Sequence, residues 1–151
     1  MGLGRDEMEK SVSEDFLRLK QQVVQFIEQD LEPIHLQVEE SAEIPEHLVD
    51  KMRHLGLFGL SIPRDYGGLG LTTLEEILVY EEITKTNACF RSRIGTSNGI
   101  GSMGILYDGT EEQKRRYLPK VASGQWTAAF ALTEPDAGSD AANISTQAVL
   151  D

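Results

Sequence analysis

The sequence has one cysteine, Cys89, among 151 residues. That excludes an internal disulfide and a multi-thiolate metal site, and it fits a reducing compartment. Positive charge is also scarce. Against 25 Asp and Glu stand 14 Lys and Arg, for a net charge of −11. Such an excess argues against nucleic acid and against an anionic membrane face as partners. No apolar run approaches the ~20 residues of a membrane-spanning helix. The opening Met1-Gly2-Leu3-Gly4-Arg5-Asp6 has neither the apolar stretch of a secretory signal nor the hydroxyl of a myristoylation site. The chain is therefore expected not to be secreted. His35, His47 and His54 have no zinc-ligand spacing, so no metal site is expected.

What is present reads as helices for most of the length. Ser11-Val12-Ser13-Glu14 has capping-box form and opens the first helix. Phe16, Leu19, Val23, Phe26 and Ile27 then recur on one face. Pro33 ends or kinks that helix, and Pro45 falls in the first turn of another, which Gly56 closes. Asp65-Tyr66-Gly67-Gly68-Leu69-Gly70 is a loop. Its glycines could cradle a phosphate, but no βαβ unit surrounds them, and turn chemistry is the preferred reading. Thr72 or Thr73 caps the next helix. Its acids Glu75, Glu76, Glu81 and Glu82 read as a solvated face, because adjacent helix residues point apart. Gly99-Ile100-Gly101-Ser102-Met103-Gly104 has the form GxGxxG, but it lacks the preceding strand and the later acid of a dinucleotide site. Thr110-Glu111-Glu112-Gln113 opens a last helix whose Lys114, Arg115 and Arg116 read as solvated. Gly124 closes it.

The pattern changes at Thr127. A short strand, Thr127 to Leu132, is expected to run into the turn Thr133-Glu134-Pro135-Asp136-Ala137-Gly138-Ser139-Asp140. Pro135 fixes the backbone and Gly138 allows close approach. Thr133 and Ser139 place hydroxyls beside exposed N–H groups, which suits an anionic or electron-rich ligand. By composition alone this is also simply a strand followed by an acidic turn. Ser145 to Leu150 reads as a second strand. Two uncovered strands do not make a stable sheet, so the chain reads as part of something longer.

Three strings, in order, resemble the acyl-CoA dehydrogenase family. They are the Pro-x-x-Tyr-Gly-Gly-x-Gly loop from Pro63, the helix from Gly109 to Lys120, and the flavin-binding signature Ala-Leu-Thr-Glu-x-x-Ala-Gly-Ser-Asp ending at Asp140. The resemblance implies a mainly α fold. The N-terminal helical bundle domain would span residues 1–125, and residues 126–151 would begin a β-barrel-like middle domain. It makes Asn87 to Tyr107 a buried helix whose glycines leave room for a ligand. It also implies FAD, an acyl-CoA substrate, an electron-transferring flavoprotein as electron acceptor, and a homodimer or homotetramer. The location would be bacterial cytoplasm or, after processing, the mitochondrial matrix. Phe130, Leu132, Thr133, Gly138 and Ser139 match flavin-binding positions. Ser139 also matches a contact to the CoA arm, and Thr96, Ser97, Asn98 and Gly99 match the wall of the acyl tail. The family reaction is α,β-desaturation with hydride transfer to flavin. Its usual carboxylate base and its Trp-x-Thr strand lie beyond these residues, so no catalytic residue is assigned. An acyl-CoA oxidase and a non-catalytic helical module on the same scaffold are the alternatives.

Overall fold

The computed structural model describes residues 12–149, among which seven α-helices account for most of the ordered backbone. Helix α1, Glu14–Phe26, is capped by Ser13, whose hydroxyl accepts from Phe16 N at 3.1 Å. The cap is therefore Ser13, and Ser11 lies outside the described residues. The helix then widens into a π turn, Ile27–Leu31, and tightens into a 3-10 turn, Glu32–Ile34, around Pro33. A proline has no N–H for the helical ladder, and the change of pitch absorbs the missing bond. Helix α2, His35–Ser41, follows, and α3, Glu46–His54, starts just after Pro45, which sits at the cap and not in the first turn.

The connector after α3 is the hub of the fold. Its short turns Leu57–Gly59 and Arg64–Tyr66 touch, between them, α3 and the later helices α5 and α7. Leu57, Phe58, Leu60 and Ile62 are all buried. The loop behind them folds back on this connector. Leu69 N donates to Gly59 O at 2.7 Å, Gly70 N to Ile62 O at 2.9 Å, and Leu71 N to Leu60 O at 2.8 Å. A Cβ on Gly68 would lie 2.0 Å from Ile62 O, so only glycine fits. These donors are spent within the chain, which makes the loop a turn and not a phosphate cradle.

Helix α4, Thr73–Ile83, opens with the full capping box between Thr72 and Glu75, and α1 packs along it. Two of its acids depart from the expected solvated face. Glu75 is buried because its carboxylate accepts Thr72 N at 2.9 Å and lies against Ser13. Glu82 is buried as the partner of Lys20, at 3.8 Å, and of Lys85.

The segment expected as one helix is two. Helix α5, Ala88–Asn98, and helix α6, Ile100–Asp108, are separated at Gly99, where φ −104 and ψ −118 leave the helical region. Helix α6 is not a buried core helix either. Ile100, Met103, Gly104 and Tyr107 form a stripe at helical spacing, yet Ile100 is 62% and Tyr107 74% exposed. Nothing lies within 4 Å of a Cβ built on Gly104. Helix α7, Glu111–Ala122, has the capping box of Thr110 with Gln113 and contains Pro119. Gly124 closes it with φ 69.

The expected strands are absent among the described residues. Residues 127–133 and 144–149 are irregular, and the single ladder pair joins Glu134 to Ala137. A strand exists only through hydrogen bonds to a neighbour, and neither segment has one here.

Candidate functional site

Two elements define the candidate site: the irregular segment after α7 and the broken helix α5–α6 beneath it. Trp126 anchors the segment. Its N donates to Lys120 O at 2.9 Å, the Lys120 ammonium sits 4.1 Å over its ring, and Tyr117 lies 6.2 Å away. Thr127 Oγ1 then accepts from Arg93 of α5 at 3.3 Å. Ala128 lies against α6 at Gly101, where an added Cβ would come within 2.5 Å of the Ala128 Cβ and 2.8 Å of Thr96 O. The segment thus crosses the α5–α6 break before leaving the surface.

Beyond that crossing the predicted flavin residues stand open. Phe130 is 56% and Leu132 40% exposed, and Thr133, Gly138 and Ser139 are exposed as well. The space beside Gly138 is empty. Among the described residues, the Thr133 and Ser139 hydroxyls and the N–H groups of Gly138, Ser139 and Asp140 have no partner. An exposed ring beside unused donors is the surface that an aromatic, anionic cofactor would cover. On that observation the residues present fit FAD.

Glu134 holds this loop together. Glu134 N donates to Ala137 O at 2.9 Å and Ala137 N to Glu134 O at 3.3 Å, closing a tight turn around Pro135 with Ala137 buried. The Glu134 carboxylate accepts four further bonds. Ser145 N and Oγ each reach Oε2 at 2.7 Å, Thr146 N reaches Oε1 at 2.8 Å, and the Thr146 hydroxyl also donates to Oε1. Hydrogen bonds from Thr146 and Ser145 pull its pKa down to about 2. All four carboxylate acceptor positions are filled, so Glu134 is not available as a general base. The sequence carries no short-range sign of this arrangement, because the partners lie 11 and 12 positions on.

The four residues matched to the acyl wall divide. Thr96 is half-buried and Gly99 forms the helix break. Ser97 and Asn98 are fully buried. The Ser97 hydroxyl has no partner among the described residues. The Asn98 amide accepts from Leu60 N at 2.6 Å and donates to Leu57 O at 2.7 Å and Ile94 O at 3.1 Å, while Ser61 Oγ bonds its backbone carbonyl at 2.7 Å. Asn98 therefore ties α5 to the connector.

Other features lie apart. A cleft of about 620 Å³ is lined by Val38, Glu39, Cys89 and Arg93 among others, and holds none of the flavin-matched residues. Burial pushes the Cys89 thiol above its ordinary value, the opposite of activation. Tyr80 is raised too, first by burial and then by its bond to Glu76. No three His, Cys, Asp or Glu side chains among the described residues gather closely enough to hold a metal ion. No described helix is long and apolar enough to cross a membrane.

Comparison with known proteins bears directly on this region. Residues 13–125 match the family described as acyl-CoA dehydrogenase, N-terminal domain. A 3-(aryl)acrylate reductase of Clostridium sporogenes is 40% identical over 123 residues, 82% of this chain and 33% of its own length. A chain solved in work on the electron transferring flavoprotein of Acidaminococcus fermentans superposes with a TM-score of 0.82 at 35% identity, covering 93% of this chain and 37% of that one. An acyl-CoA dehydrogenase of Bacillus anthracis, complexed with FAD, superposes at 0.76 with 34% identity, over 89% of this chain and 23% of its own. This chain thus spans about a third or less of these relatives.

Proposed function

Since the chain belongs to the acyl-CoA dehydrogenase family, we propose that it forms one wall of an FAD site and one wall of an acyl-CoA site in a flavin-dependent oxidoreductase. The supporting observation is the loop from Phe130 to Asp140, with an exposed ring, free hydroxyls and unused N–H groups on a pinned backbone. Residues 1–125 would be the helical domain and residues 126–151 the start of a β domain. Phe130 and Leu132 would pack on the isoalloxazine, Thr133 would donate to its pyrimidine edge, and Gly138 and Ser139 would meet its phosphates. FAD, when bound, supplies the acceptor for hydride from the acyl β-carbon. A donor fixed in advance at the edge where negative charge develops stabilises it without reorganising. Ser139 would also touch the CoA arm, and Thr96 and Gly99 would border the acyl tail. No residue of this chain is assigned as the base.

The names of the relatives favour a second direction for the same step. One relative is a reductase and another a dehydrogenase. Hydride moving from flavin to an α,β-unsaturated thioester is the reverse of desaturation, and the electron partner decides which way it runs. The partner that fits is an electron-transferring flavoprotein, and the working form would be a homodimer or homotetramer in the cytoplasm or mitochondrial matrix.

Trp126, the single tryptophan, reports on the site from within it. Titration of FAD into the chain should quench its fluorescence saturably and weakly, with no turnover of any acyl-CoA. An unchanged emission at millimolar FAD would refute the proposal.

A further inference from the structure

We infer that Glu134 is a positioning residue that clasps the loop from Pro135 to Ile144 and presents its free N–H groups to the phosphates of a dinucleotide. The inference rests on the flavin reading above and adds the part that makes the loop ready in advance. One carboxylate gathers two N–H and two O–H donors from Ser145 and Thr146 while its own backbone closes the turn at Ala137. Everything between these two closures is exposed and carries few bonds of its own, chiefly that from Asn143 N to Asp140 O at 3.1 Å. Without the clasp the loop would be tethered at one end only. The donors at Gly138, Ser139 and Asp140 would then have to be ordered by the ligand at the moment of binding. Ordering beforehand raises apparent affinity by the fraction of molecules that hold the competent shape.

The carboxylate is specific for this task. Its partners are donors only, as N–H groups and as hydroxyls turned toward it, and an ionised carboxyl offers acceptors only. Glutamine in its place would accept with one oxygen and set an NH₂ group against the other pair of donors.

The test compares the unaltered chain with Glu134→Gln and with Thr146→Val, which removes only one hydroxyl donor. FAD and riboflavin, which lacks phosphates, are titrated separately against Trp126 fluorescence. Amide hydrogen exchange at Ser145 and Thr146 is followed alongside. If the released loop is competent about a tenth of the time, FAD affinity falls roughly tenfold in Glu134→Gln. Thr146→Val should show a smaller loss in the same direction. Riboflavin affinity should not change, exchange at Ser145 and Thr146 should speed up, and helical circular dichroism should stay the same because Glu134 lies outside every helix. Equal losses for FAD and riboflavin would overturn the positioning role, and so would unaltered exchange in the variant. If the unaltered chain does not favour FAD over riboflavin, the phosphate reading fails and the role falls with it. Faster exchange in Glu134→Gln would then show that the clasp itself exists, which separates the two failures.

Discussion

Replacing Asn98 by alanine tests whether the α5–α6 break is held by its amide. The side chain is fully buried and serves Leu60 N, Leu57 O and Ile94 O. Truncation leaves the Leu60 N–H and the Leu57 carbonyl without these partners, in a place that water does not reach, at about 1–3 kcal/mol each. The Ile94 carbonyl keeps its helical role and adds little. Alanine returns at most about 0.7 kcal/mol of helix propensity. The net loss is about 2–5 kcal/mol, a large share of the ~5–15 kcal/mol that domains possess. At this chain length that lowers the melting temperature by roughly 5–20 °C. Urea unfolding followed at 222 nm measures it, with Thr96→Ala as a neighbouring control expected to lose under about 1 kcal/mol. Asn98→Asp adds a pH signature. It keeps an acceptor for Leu60 N but sets a buried carboxyl against two carbonyls, so the fold favours the protonated form and stability falls as pH rises through the carboxylate range. A loss below about 1 kcal/mol for Asn98→Ala would refute the reasoning, because two orphaned buried groups cost more than that.

Thr133→Val should weaken binding of reduced FAD roughly tenfold to a hundredfold more than oxidised FAD, since a charge-assisted bond contributes about 1.5–3 kcal/mol; equal effects on both forms would leave Thr133 as a turn residue. Gly68→Ala should abolish or severely destabilise folding, because its Cβ would stand 2.0 Å from Ile62 O, and a cooperative melt near that of the parent would contradict this. Thr110→Val should cost about 0.5–2 kcal/mol by removing the α7 cap, read from chemical denaturation. The Glu134 clasp has a pH window of its own: a pKa lowered from 4.5 to about 2 means it is intact above 4.5 and lost as pH falls toward 2. The Thr146 amide resonance should therefore be little changed at pH 4, and a titration midpoint near 4.5 would refute the clasp.

Local chemistry was legible in the sequence, and partnership at a distance was not. The capping boxes at Thr72 and Thr110 lie within one turn each, so their residues state the helix start directly. Gly56 and Gly124 were readable as closures for the same reason. The strand expected at 127–132 is not formed, because a strand needs a paired neighbour and this segment has none among the described residues. The burial of Glu75 and Glu82 depends on Ser13 and Lys20, which lie far back in the chain. The resemblance matches Asn98 to the wall of the acyl tail without saying what holds its amide in place. Its hydrogen-bond partners, Leu57 and Leu60, become visible only when the connector folds over α5. The flavin-matched residues were legible as a string, and the carboxylate that shapes their loop was not, since no local pattern links Glu134 to Thr146.

The stripe along α6 has a colloidal consequence. Ile100 and Tyr107 make each molecule adhesive on one side, while a charge of −11 keeps molecules apart. The repulsion reaches only about 8 Å in physiological salt and about 3 Å at 1 M. Sulfate shortens that reach and strengthens apolar attraction at the same time. Solutions of the chain should therefore tolerate concentration best in dilute salt well above its isoelectric point near 4.7. They should cloud early on addition of sulfate, and replacing Tyr107 or Ile100 with a charged residue should move that cloud point to higher salt.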